Sequence, residues 1–176
     1  MPAVVQGTLG SGDQFVSPCG VAVDSEAGSI IVADCGRREV HLCRAHDGST
    51  VFKLEVPDSG SAQLRWPWGV AVDTAAGFIF VTDYGHHRVH MWLADDGSYI
   101  STFGSRGSGP GQFQCPLGVA VDAEAGLIFV ADHFNHRLQV WSTDDPSFLD
   151  SFGSEGAGPG QFLQPTGAWL STRRGA

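Results

Sequence analysis

Pro116-Leu117-Gly118-Val119-Ala120-Val121-Asp122 is spelt almost the same way at residues 67–73 and again at 18–24. The prolines Pro18, Pro67, Pro116 and Pro165 stand at a constant interval of 49 residues, as do Asp24, Asp73 and Asp122, and Asp34, Asp83 and Asp132. Phe15, Phe113 and Phe162 keep the same phase, with Leu64 in the remaining slot. No insertion breaks the register. A fixed period of this length marks a repeat architecture: one unit copied three times, with a partial unit at each end.

The third copy shows what the unit is. Val119 to Asp122 is a short strand with an acidic stop, and Ala123 to Gly126 is a turn. Leu127 to Ala131 is a continuous apolar run, as expected of a strand buried on both faces. Asp132 to Arg137 makes a second turn, and Leu138 to Trp141 a third strand. Asp144 to Ser147 makes a third turn, and Phe148 to Phe152 a fourth strand with polar residues interleaved. Gly153 to Gly160 is a glycine-rich loop into the next unit. Four antiparallel strands that grow more polar outward describe a propeller blade, with the inner strand near a crowded axis and the outer one facing water. Ala22, Ala71 and Ala120 suit the narrow inner strand, and Trp92 and Trp141 suit the space between blades. No helical period occurs. The expected fold is all-β, a β-propeller of four-stranded antiparallel blades at about 18–55, 67–104 and 116–153, with partial-blade strands at 2–5 and 167–170.

The totals agree. The chain has 176 residues, 42% of them hydrophobic and 16% charged, which argues against a disordered tail or a coiled coil. Twenty-four glycines and nine prolines without a collagen period fit short strands joined by tight turns. No apolar run approaches the roughly 18 residues of a membrane-spanning helix. Met1 to Gly10 has no basic segment and no long apolar core, so no secretory signal is expected there. The net charge of −9 requires any nucleic-acid binding to use a segregated basic face. Cys19, Cys35, Cys43 and Cys115 form no C-x-x-C pair and align with unrelated residues in the other copies, so they are expected to be free thiols packed as small hydrophobes. Free thiols suit a reducing, cytoplasmic compartment.

The second turn reads Ala131-Asp132-His133-Phe134-Asn135-His136-Arg137-Leu138 in one copy and Thr82-Asp83-Tyr84-Gly85-His86-His87-Arg88-Val89 in another. Together with the P-x-G-V-A-V-D opening and the G-x-G-P-G-Q-F loop, this resembles the NHL repeat. The resemblance covers nearly the whole chain. It implies a propeller serving as an interaction platform for protein or RNA, often beside ubiquitin-ligase modules. A related branch is the metal-dependent lyase that cleaves peptidyl-hydroxyglycine.

Asp34, Asp83 and Asp132 are expected to be structural, accepting backbone N–H groups in a tight turn. Arg88 and Arg137 can then pair with a carboxylate. The first copy departs from this, with Glu39 in the arginine slot: either Arg38 substitutes or that blade lacks the pair. Alternate turns of antiparallel blades fall on opposite faces of the disc. The first and third turns carry Asp24, Asp73, Asp122, Asp47, Asp95, Asp96, Asp144 and Asp145, an acidic lower face. The second turns and inter-blade loops form an upper face rich in His, Arg and aromatic residues, among them Trp66 and Tyr84. The binding candidates lie there: Arg37, Arg38, Trp68, His86, His87, Arg88, His133, Asn135, His136 and Arg137.

The expected function is a non-enzymatic protein-interaction scaffold, with RNA as the alternative ligand and no cofactor. The lyase relatives bind zinc through histidines after the blade-opening proline, whereas here Cys19, Trp68, Leu117 and Thr166 follow the prolines. A zinc site would need several imidazoles within about 2.1 Å of one ion. No G-x-S-x-G elbow or phosphate loop occurs. Three blades and two stubs do not close a ring. Either the chain belongs to a longer propeller, or two chains associate, or apolar edges stay exposed.

Overall fold

The computed structural model describes residues 14–57 and 63–167. The partial-blade strand expected at 2–5 lies outside them, as does all but Gly167 of the one expected at 167–170.

Three four-stranded antiparallel sheets stand side by side as an open arc. Blade 1 consists of β1 (Pro18–Asp24), β2 (Ser29–Asp34), β3 (Glu39–Arg44) and β4 (Thr50–Lys53). Blade 2 consists of β5 (Pro67–Asp73), β6 (Phe78–Asp83), β7 (Arg88–Leu93) and β8 (Tyr99–Phe103). A parallel pair, β9 (Ser105–Arg106) with β10 (Gln112–Phe113), forms the junction. Blade 3 consists of β11 (Pro116–Asp122), β12 (Leu127–Asp132), β13 (Arg137–Ser142) and β14 (Phe148–Phe152). Each blade is a simple meander. Each has a register irregularity just after its opening proline and another between its third and fourth strands.

The inner strands β1, β5 and β11 are neighbours. Their glycines set how closely they approach: a Cβ on Gly20 would run into the carbonyl oxygen of Trp68, and one on Gly69 into that of Leu117. The glycine of P-x-G-V-A-V-D is therefore a contact between two backbones, which a methyl group would force apart. In the first turn Asp24 accepts the N–H groups of Glu26 and Ala27, and Asp73 those of Ala75 and Ala76.

The core lies between blades, in two seams. In the first, Ile31, Ala33, Val40 and Leu42 of blade 1 meet Val70, Ile79, Val81 and Trp92 of blade 2. In the second, Ala71, Phe80, Val89 and Met91 of blade 2 meet Val119, Ile128, Val130 and Trp141 of blade 3. Each strand shows alternate residues to the preceding and the following blade, which is why strand two reads as an unbroken apolar run. Both tryptophans are buried in the seams. Trp92 Nε1 donates to the carbonyl of Glu55 at 2.9 Å, and Trp141 stacks on Phe113 with ring centroids 5.5 Å apart.

One sequence expectation is corrected. Cys19 and Cys35 are joined in a disulfide, with their Cα atoms 6.2 Å apart, whereas Cys43 and Cys115 are free. Cys19 lies in the register irregularity after Pro18, and Cys35 follows Asp34 and donates its N–H to the carbonyl of Ser17, so the end of β2 stands beside the start of β1. Nothing in their 16-residue spacing announces this.

Candidate functional site

The upper face is organised around three aspartates, one at the end of each blade's second strand. Asp34 accepts the N–H groups of Val16 at 2.7 Å, Ser17 at 2.9 Å and Arg37 at 3.1 Å. Asp83 accepts those of Arg65 at 2.9 Å, Trp66 at 3.1 Å, Gly85 at 3.1 Å and His86 at 3.2 Å, and its Oδ2 lies 2.9 Å from the His86 ring. Asp132 accepts the Gln114 N–H at 2.7 Å and is otherwise surrounded by side-chain donors: Asn135, Arg137 and Gln139. All three carboxylates are fully buried. Burial pushes the Asp83 carboxyl up, but the His90 ring, the two loop N–H groups and the His86 ring outweigh it and hold the group below the usual carboxylate range. In Asp34, too, the backbone donors prevail over burial and lower the pKa.

The arginine partners differ from blade to blade. Arg137 Nε lies 2.8 Å from Asp132, and its terminal nitrogen donates to the carbonyls of Gly109 and Gln112. Asn135 donates to the carbonyl of Gly107 at 2.9 Å. Both residues thus tie turn two of blade 3 to the loop before it. In blade 2 the Arg88 Nε donates to the carbonyl of His86, while the His86 ring takes the aspartate. In blade 1 Arg37 lies 3.9 Å from Asp34, and Glu39 faces Lys53 at 2.7 Å and His41 at 2.9 Å.

His87 and His136 occupy the same slot and make the same contact. Each is in the left-handed region, at φ 57° and 53°. The Nδ1 of His87 accepts the N–H of Cys115 at 3.0 Å, and the Nδ1 of His136 that of Gln164 at 3.3 Å. These imidazoles latch the turn of one blade to the segment that opens the next. An accepting Nδ1 places the ring proton on Nε2, so this contact belongs to the neutral ring. Burial, followed by the nearby Arg106 charge, lowers the pKa of His87. His133 reaches in the same direction, with its Nδ1 3.3 Å from the carbonyl of Pro165.

The remaining candidates divide between two hollows. Arg37 and Arg38, both exposed, line a cleft of about 600 Å³ together with Lys53 and Tyr99. Trp68 lies elsewhere, in an open concavity of about 400 Å³ lined by Ser17, Cys35, Gly36, Trp66, Trp68 and Tyr84. The Tyr84 ring lies 5.8 Å from Trp66 and 6.4 Å from Trp68, and the Arg65 guanidinium sits 5.4 Å from the centre of the Trp66 ring. Both tryptophans are exposed. Trp66 and Tyr84, expected among the aromatic residues of the upper face, do not repeat from blade to blade, and this sets them apart in the sequence. Ser17 and Cys115 stand where Trp66 does, and Cys35 and His133 where Tyr84 does. Cys19 and Cys35 occupy the slots of Trp68 and Tyr84, so a disulfide in blade 1 takes the place of an aromatic pair in blade 2. Among the described residues, no three His, Cys, Asp or Glu side chains converge as metal ligands.

Comparison with known proteins agrees with this architecture. The family model of the NHL repeat matches residues 64–91 and 113–141, so the chain carries NHL repeats. Its blades align with those of a Kuenenia stuttgartiensis hydrazine synthase structure at 14% identity and a TM-score of 0.67, covering 94% of this chain and 42% of that one. A structure of U3-55K aligns at 16% identity and a TM-score of 0.63, covering 85% and 41%. A nidogen/laminin complex contains a chain aligning at 18% identity and 0.61, covering 77% and 52%. The chain spans about half or less of the length of these structures, and at such identities the likeness is one of fold. No curated protein sequence matches it. The class is thus a β-propeller repeat module, with NHL repeats matched in blades 2 and 3.

Proposed function

We propose that this chain is a non-enzymatic interaction module that holds a protein partner on its upper face, centred on the aromatic concavity of blade 2. The carrying observation is the pairing of exposed Trp66 and Trp68 around Tyr84 on blade 2. Large aromatics at low conformational cost are the usual anchors of protein interfaces. Arg65, whose guanidinium sits over the Trp66 ring, supplies the polar surround in this reading, while His87, Asn135, His136 and Arg137 hold the platform in shape.

Panning a displayed peptide library against the chain tests the proposal. Selected peptides should lose at least about tenfold in affinity on Trp66→Ala with Trp68→Ala, and be unaffected by Asp145→Ala on the opposite face. Peptides that bind the double variant as well as the parent would overturn it. RNA is the second reading, favoured by the Arg65–Trp66 stack, since a base can lie on such a surface. It predicts binding of single-stranded RNA that weakens steeply with salt and on Arg65→Ala.

A further inference from the structure

The aromatic concavity exists because blades 1 and 2 meet unequally on the upper face. Trp66, Trp68 and Tyr84 of blade 2 line one side of it, and Ser17, Cys35 and Gly36 of blade 1 line the other. Small residues on one side leave room in front of the rings on the other. At the next junction Trp66, Tyr84 and Gly85 stand in the slots of Ser17, Cys35 and Gly36, and Leu117 stands in that of Trp68. Leu117 is 6% exposed, whereas Trp68 is 39% and Trp66 44% exposed, so the rings are not spent on the seam. The Tyr84 ring is tilted by 52° to Trp66 and by 38° to Trp68, so neither pair is a parallel slot for a flat group. No hydrogen bond within the described residues engages the indole N–H of Trp66 or of Trp68.

A charge is fixed beside these rings. The Arg65 guanidinium sits 5.4 Å from the centre of the Trp66 ring, and its aliphatic stem lies so close over Gly85 that a Cβ there would come within 2.7 Å of Arg65 Cγ and Cδ. The arginine is therefore placed before any ligand arrives. Its side chain has no ion-pair partner among the described residues. No carboxylate lines the concavity. Asp34 and Asp83, which hold the main chain of Ser17 and Trp66, are fully buried and engaged by N–H groups. A cationic ligand would meet a positive charge with nothing to offset it, whereas a carboxylate would meet a donor already in place.

We propose that the concavity takes an acidic, proline-bearing segment of the partner in the polyproline II conformation, with a proline ring on the tryptophans and an Asp or Glu side chain on Arg65. The inference rests on the interaction reading above and gives the class of partner for it. An open hollow of about 400 Å³ offers little contact to offset the ordering of a flexible chain. A polyproline II segment is ordered before it binds, and aromatic-lined grooves are the surfaces that receive it. It has no internal hydrogen bonds, so its carbonyls are free to accept from the two indole N–H groups. A pyrrolidine ring is compact and puckered, and it suits faces tilted to one another better than a flat base does.

Panning a random peptide library against the 176-residue chain, followed by titration of the selected peptides, tests it. The selected peptides should carry proline together with Asp or Glu. Replacing the prolines of such a peptide by alanine should weaken binding at least about tenfold. Arg65→Gln should weaken it about tenfold and flatten its salt dependence. Arg65→Glu should reverse the charge preference, so that the same peptide with lysine in place of its acids binds better than the parent. Asp83 accepts only the main-chain N–H of Arg65, so both variants should keep the wild-type Tm. Peptides that need Trp66 and Trp68 but lack proline or acid, or that bind Arg65→Glu as well as wild type, overturn this inference and leave the interaction reading standing. Peptides indifferent to both tryptophans overturn the two together, as does a chain that binds oligouridine through them and selects no peptide.

Discussion

Replacing Asp83 tests how the upper face is held. Four main-chain N–H groups converge on its carboxylate, from Arg65, Trp66, Gly85 and His86, and the side chain is fully buried. Gly85 and His86 are half-buried, so water can replace much of what Asp83→Ala removes from them. The Arg65 and Trp66 N–H groups meet the carboxylate where it is fully buried, and each orphaned donor costs about 1–3 kcal/mol. The expected loss is about 4 kcal/mol, a fall in Tm of about 8–16 °C for a chain of this size. Asp83→Asn should cost about half as much. Its one oxygen can still accept from the Oδ1 side, where Trp66, Gly85 and His86 donate, while its amide can face the His86 ring. Chemical denaturation followed by tryptophan fluorescence reads both. The acid dependence has a definite sign: the folded pKa is depressed, so the carboxylate's contribution is present above the unfolded value of 3.8 and is lost as pH falls through the folded one. The gap between wild type and the Asn variant should therefore narrow below about pH 4. A loss under about 1 kcal/mol for Asp83→Ala would refute the assignment of these donors to the carboxylate.

Two further outcomes follow from the same contacts. Gly69→Ala should destabilise the chain by about 2–3 kcal/mol, because the new Cβ meets the Leu117 carbonyl, a backbone atom that cannot swing aside; a neutral result in denaturant titration would contradict the close approach of β5 and β11. Stability should fall as pH drops below about 6.5, because burial lowers the pKa values of His87 and His90, so the unfolded chain takes up protons first; His90→Gln, which copies Gln139 at the same slot of blade 3, should remove part of that slope in the Tm measured against pH.

What was legible in the sequence was whatever repeats. The 49-residue step carried the four-stranded antiparallel blade and the seam tryptophans, because each blade must present similar side chains to its neighbours. What was not legible depended on contacts between repeats that share no local pattern. The Cys19–Cys35 bond needs the β1–β2 register, and spacing alone cannot supply it. The histidines of the second turn look like free surface groups in a one-dimensional reading. In three dimensions the Nδ1 of His87 is committed to a backbone N–H of the next blade. Glu39, an oddity in the repeat, is explained by Lys53 and His41, which lie on the neighbouring strand and its own strand.

The division between repeating and non-repeating residues also separates construction from recognition. A blade contacts only its neighbours, so a repeat array is held together by its interfaces. The residues that recur are those that make the interfaces: the Asp34, Asp83 and Asp132 turns and the valines of the inner strands in all three blades, and the His87 and His136 latches in two. A substitution there perturbs a seam before it perturbs a ligand. Residues free to specify a partner must be the ones that the period leaves unconstrained, and the slots of Arg65, Trp66, Trp68 and Tyr84 are of this kind. In blade 1 those slots hold Val16, Ser17, Cys19 and Cys35, and in blade 3 Gln114, Cys115, Leu117 and His133. The same backbone positions therefore carry a disulfide in one blade and a cluster of tilted aromatic rings in the next, on strands of the same order. Among the described residues only blade 2 puts large exposed rings in these slots, so the proposed partner would meet a surface with one off-centre anchor, which would fix its orientation as well as its place.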